Sequence, residues 1–102
     1  MKGAAAWGWI NPVDMFCIVI YDIASNRARL KVADVCMNYG LNRIQYSAFA
    51  GTLLRTHQAE LMERVRRCLG RQPGKVFLYC IGEPEMAQHL EIVVEAKKEE
   101  VA

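Results

Sequence analysis

Acidic residues are scarce in the middle of this 102-residue chain. From Ile23 to Lys75 only Asp34, Glu60 and Glu63 are acidic, against ten Lys and Arg. Long apolar runs are also missing, and none reaches the roughly 18 residues of a membrane span. The four cysteines, Cys17, Cys36, Cys68 and Cys80, lack the spacing of a zinc knuckle or a redox motif. Each falls inside an apolar pattern, which suits reduced core thiols in a cytoplasmic protein and argues against a disulfide framework. There is no G-x-S-x-G elbow, and no Ser or Cys has a nearby His signature, so hydrolase triads are disfavoured. No Walker loop or Rossmann glycine fingerprint is present, which removes most nucleotide-cofactor chemistry. The two histidines, His57 and His89, fall at a helix start and in the tail, where exposed polar residues need no function.

What remains is a chain for one domain, with 53% hydrophobic residues and enough apolar material for a core. Such a small domain buries a modest fraction of its surface and gains from oligomerisation. The acids gather at the end: residues 76–102 hold six Glu and two Lys. A basic body with an acidic tail points to a polyanion partner, nucleic acid first. The alternative is a solvated, Arg-rich helix face.

Residues 1–14 carry both Trp residues and no clear period. Their apolar part is short and broken by Asn11-Pro12-Val13-Asp14, so they read as a weakly ordered extension rather than a secretory signal. Phe16 to Tyr21 is a β-branched apolar run, expected as a central strand buried on both faces. Ser25 is a suitable N-cap for a helix over 26–39, with Leu30, Ala33, Cys36 and Met37 on its apolar face and Gly40 at its C′ position. Residues 42–54 read as one bent strand or two short ones turning near Tyr46-Ser47, with Gly51 at a kink or close approach. Tyr46 is expected in the core.

Thr56 is a candidate cap for a second helix, His57 to Leu69, with an apolar stripe of Leu61, Met62, Val65, Cys68 and Leu69. After a turn at 71–74, Lys75 to Ile81 is expected as another buried strand. Leu90 to Val94 is a candidate last strand or an edge donated to a partner, and 96–102 a frayed tail. The order fits an α+β fold, a βαββαβ sandwich over residues 15–95. Two helices cover one face of a mostly antiparallel sheet. The other face is left apolar and exposed in a monomer, where a second copy could cover it.

One carboxylate stands apart. Asp22 ends the first apolar strand, the position where ligand sites often sit in α/β sheets. Asp22 is either a turn acid capping the following helix or a ligand for Mg²⁺ or Mn²⁺, hard ions that favour oxygen donors and activate water. A twofold dimer would bring a second Asp22 and so a second carboxylate. Arg27 and Arg29 follow closely and Arg43 opens the next strand, and the arginine fork suits phosphate. Tyr21 and Phe49 are the aromatic candidates for stacking or shaping the site, and Phe49 shares an alternation face with Arg43. Arg55, Arg64, Arg66, Arg67 and Arg71 are candidates for nucleic-acid backbone contact, giving salt-sensitive affinity with little sequence preference.

Ile20-Tyr21-Asp22-Ile23, the following Arg27-x-Arg29, Tyr39-Gly40-Leu41 and Arg43-Ile44-Gln45-Tyr46-Ser47-Ala48-Phe49-Ala50-Gly51 together resemble the CRISPR-associated protein 2 family, over about residues 15–94. The resemblance implies a ferredoxin-like homodimer with C-terminal segments exchanged or added as edge strands. It also implies a role in CRISPR adaptation. The dimer would be a scaffold between copies of CRISPR-associated protein 1, holding duplex DNA on its basic surface. Some members are metal-dependent endonucleases of RNA or DNA. On that pattern Asp22 binds the metal, and Arg27, Arg29, Arg43 and Phe49 complete the catalytic set.

Two departures bear on activity. The family often has a glutamate where this chain has Ala50, and the loop from Asp22 to Arg27 is short and without extra acids. Both leave Asp22 with fewer acidic neighbours. A non-catalytic nucleic-acid scaffold and a small-molecule-sensing ferredoxin-like domain are the alternatives.

Overall fold

The computed structural model describes residues 15–82 and 88–94. The expectations for 1–14 and 96–102 lie outside the described residues. The elements are β1 (Met15–Ile23), α1 (Asn26–Asn38), β2 (Asn42–Gln45), β3 (Ala48–Leu53), α2 (Arg55–Leu69) and β4 (Gly74–Ile81). The sheet runs β2-β3-β1-β4, with every pair antiparallel. This is the expected βαββαβ order, with β1 in the interior of the sheet.

Strand β1 is buried on one face only. Cys17, Val19, Tyr21 and Ile23 point under the helices, while Ile20 and Asp22 are exposed on the other face. The expectation of a strand buried on both faces is therefore corrected. Register places Phe16, Ile18 and Ile20 opposite Ile81, Tyr79 and Phe77 of β4, which makes the open face apolar. β4 is likewise an edge strand rather than a buried one. Val76 and Leu78 pack on the core, while Phe77 and Tyr79 are exposed and stack at 6.0 Å.

Helix α1 starts where its cap dictates. The Ser25 hydroxyl accepts from the Ala28 N–H at 3.2 Å, and Gly40 follows the helix at φ 85°, a conformation that glycine adopts without Cβ strain. Its buried face is Ala28, Val32, Ala33 and Cys36, and Leu30 and Met37 are exposed. The expected stripe was rotated: an i, i+4 series of Ala28, Val32 and Cys36 meets the sheet. Ser25→Ala should cost about 1 kcal/mol, read as a lower urea midpoint with an unchanged slope.

Thr56 is not the cap of α2. The helix begins at Arg55 after Leu54, with no side-chain cap, and its first turn closes through Gln58 N–H to Leu54 C=O at 3.0 Å. The chain thus passes from β3 into the helix almost without a loop. Leu61 and Val65 are fully buried, with Met62, Cys68 and Leu69 beside them.

The 42–54 segment resolves into two strands with a turn at Tyr46-Ser47 and a register shift between Arg43 and Gln45. A Cβ on Gly51 would sit 2.9 Å from Leu41 Cδ2, so the backbone does approach closely there. Leu90–Val94 forms no strand, and Leu90 and Ile92 are 96% and 91% exposed. Within one chain the segment has no ladder to offset the entropy of ordering it. It borders the open face, lining a cleft with Phe16, Ile18 and Ile81.

Candidate active site

Asp22 is the next-to-last residue of β1 and lies on the open face, opposite Lys75 of β4. Its carboxylate has no hydrogen bond or ion pair among the described residues. Capping of α1 falls to Ser25, so the turn-capping reading of Asp22 is not realised. Shallow walls of Ala24, Pro73, Gly74 and Lys75 surround it. No group of three or more His, Cys, Asp or Glu able to hold a metal occurs among the described residues.

The arginines gather on the other side of the sheet. Strand alternation turns Tyr21 away from Asp22, toward α1. There a cavity of ≈ 200 Å³ is lined by Tyr21, Asn26, Arg29, Leu30, Ala33, Arg43 and Tyr46. Arg29 donates to the carbonyls of Ile23 at 2.8 Å and Ala24 at 3.4 Å and also to the Asn26 side chain. These bonds tie down the loop that follows Asp22. Arg29 also lies over the Tyr46 ring at 5.4 Å. Arg43 sits over the Phe49 ring at 4.8 Å and donates to the Tyr46 carbonyl at 2.5 Å.

Phe49 is fully buried and stacks on Tyr21 at 6.4 Å. It supports Arg43 from within the core and offers no surface to a stacking base. Tyr46, expected in the core, is 70% exposed. Its position in the β2–β3 turn carries it out to the rim, where Arg29 holds its ring.

Tyr21, an aromatic candidate for stacking or shaping the site, lines the cavity but is itself buried. It is 2% exposed, and its hydroxyl has no hydrogen-bond partner among the described residues. Burial pushes that hydroxyl above its ordinary range, while the Arg43 and Arg29 guanidiniums pull it back in part. It is therefore a neutral O–H donor near two cations. Its place directly before the strand-end acid marks it in the sequence, while the apolar run around it conceals that its hydroxyl is buried.

Arg27 is exposed on the first turn of α1, Arg55 opens α2 and Arg71 lies just beyond its end; none of the three has a partner among the described residues. Arg64 lies over the Tyr39 ring at 5.6 Å. Arg66 and Arg67 both bind the Glu63 carboxylate, at 2.7 and 3.3 Å. Hydrogen bonding and charge from Arg66, aided by Arg67, hold that carboxyl below its usual range. The α2 surface is thus less positive than a count of its arginines suggests.

A family model described as CRISPR associated protein Cas2 matches residues 15–89. The chain belongs to the Cas2 family. A Cas2 relative in Chloroflexus aurantiacus, named a CRISPR-associated endoribonuclease, is 54% identical over 65 residues, 64% of this chain and 76% of its own. One of the same name in Desulforudis audaxviator is 38% identical over 88 residues, 86% of this chain and 83% of its own. A solved structure titled as that of Cas2 superposes with a TM-score of 0.66 at 26% identity, covering 88% of this chain and 97% of the other. The Cas2 fold therefore extends over the described sheet and both helices. No helix among the described residues is long and apolar enough to cross a membrane.

Proposed function

We propose that this Cas2 protein acts in CRISPR adaptation as a homodimer that holds duplex nucleic acid beside CRISPR-associated protein 1, and that paired Asp22 residues support Mg²⁺-dependent phosphodiester cleavage. The carrying observation is Asp22 itself, an exposed carboxylate with no hydrogen bond or ion pair among the described residues, at the end of an open apolar sheet face. Covering that face with a second copy buries Ile20, Phe77 and Tyr79, consistent with the rule that large exposed apolar patches mark interaction surfaces. A twofold axis there supplies a second Asp22.

The donor chemistry fits a hard cation, and the single chain offers half of the carboxylate set. Mg²⁺ or Mn²⁺ bound by the two Asp22 side chains would supply charge stabilisation and water activation. The chain's own contribution is positional. Arg29 fixes the loop after Asp22, Arg43 is braced on Phe49, and Arg27, exposed and without a partner among the described residues, can neutralise phosphate. The names of relatives support the reading: those in Chloroflexus aurantiacus and Desulforudis audaxviator are both called endoribonucleases. In Thermoproteus tenax a Cas1/Cas2 endonuclease fusion matches 55 residues of this chain at 49% identity, 54% of this chain and 21% of the fusion.

A non-catalytic scaffold is favoured by one observation: no group of three or more His, Cys, Asp or Glu able to hold a metal occurs among the described residues. Both readings require nucleic-acid binding, which a duplex titration at two salt concentrations tests. Affinity should fall steeply with salt. Arg27→Ala or Arg71→Ala should each lower the log–log slope by about 1. Arg66→Ala should lower it by less, because Glu63 already engages that side chain. Absence of duplex binding at low salt would favour the small-molecule-sensing alternative.

A further inference from the structure

We propose that Cys17 and Cys80 form a thiol modification site that reacts with small-molecule disulfides and closes to an intrachain, cross-strand disulfide. The two residues are direct register partners on antiparallel β1 and β4. Their Sγ atoms are in contact at 3.3 Å. Residues opposed in this way have Cα atoms about 4.5–5.5 Å apart, inside the range of about 4.4–6.8 Å that disulfides span. The sulfurs can thus close to bonding distance by side-chain rotation, with the strands in place.

The two thiols have unequal roles. Cys80 is exposed on the edge strand, and Cys17 is fully buried. Burial, reinforced by the neighbouring Cys80, pushes the Cys17 thiol up to about 12, so it does not attack first. The Cys80 thiolate attacks one sulfur of the oxidant's S–S bond. That bond breaks, a mixed disulfide forms on Cys80, and a thiolate leaves. Cys17 then gives its proton to the released thiolate, attacks Cys80 Sγ and displaces the second half as a thiolate, which takes up the proton that Cys80 first gave to solvent. One small disulfide is reduced to two thiols, and two protein thiols are oxidised to one disulfide. The product staples the exposed edge strand to the interior strand beside it.

The test exposes the full chain to oxidised glutathione in a Cys68→Ser background, which removes the other partly exposed thiol. Intact mass and thiol labelling are then read. The expected product has lost two hydrogens and two free thiols, with a Cys17–Cys80 linked peptide after digestion. Cys17→Ala should stop at the glutathione adduct on Cys80. Cys80→Ser, a surface change that leaves the core intact, should show neither adduct nor loss. A wild-type pair that accumulates only the adduct, or that does not react at all, overturns the proposal.

Discussion

Asp22→Asn is expected to lower Mg²⁺-dependent cleavage of nucleic acid by at least about 10²-fold. A metal that stabilises charge in phosphoryl transfer supplies several kcal/mol, and each 1.36 kcal/mol is a tenfold change in rate, so about two decades is the minimum. Asparagine keeps the size of the side chain and removes the anionic oxygen that a hard cation requires. Stability should hardly change. Asp22 is exposed and makes no hydrogen bond or ion pair among the described residues, and such surface changes fall within about 0.5 kcal/mol. Cleavage by wild type that persists equally in Asp22→Asn, with or without Mg²⁺, would come from a contaminant and leave the scaffold reading.

Phe49→Ala should have the largest effect on folding. The ring is fully buried, stacks on Tyr21 and carries Arg43 on its outer face. Removing a buried Phe costs about 3–5 kcal/mol, a large part of the roughly 5–15 kcal/mol that holds a domain together. Urea unfolding should show a much lower midpoint. Phe49→Leu should retain more of the core while withdrawing the aromatic support from Arg43. A midpoint for Phe49→Ala close to that of wild type would remove Phe49 from the core.

The contrast between these residues shows what the sequence could reveal. Element order was legible because period and punctuation agree: Ser25 and Gly40 bracket α1, and Pro73-Gly74 leads into β4. Which face each element buries was less legible. In α1 the helical period allows two neighbouring stripes, and contact with the sheet selects Val32 over Leu30. Continuous apolar runs in β1 and β4 resemble strands buried on both faces, yet in a single chain their second face is open.

The site divides for a related reason. Tyr21 and Asp22 are adjacent in sequence, and strand alternation sends them to opposite sides of the sheet. Proximity along the chain for Arg29, and the placement of Arg43 at the start of the next strand, therefore overstated how closely the two gather round the carboxylate. They converge instead on Tyr21 and the β2–β3 turn. In the proposed dimer Asp22 draws its partner from a second chain, and no spacing within one chain encodes that.

The separation of the two Asp22 carboxylates in a Mn²⁺-soaked crystal of the protein is the decisive quantity. With oxygen ligands about 2.0–2.1 Å from a shared ion, carboxylate oxygens from the two chains should lie within about 4 Å of each other across a twofold axis. One anomalous peak should sit between them. Two chains packed through the open face with their Asp22 carboxylates far apart, or a metal bound elsewhere, would contradict the proposed centre.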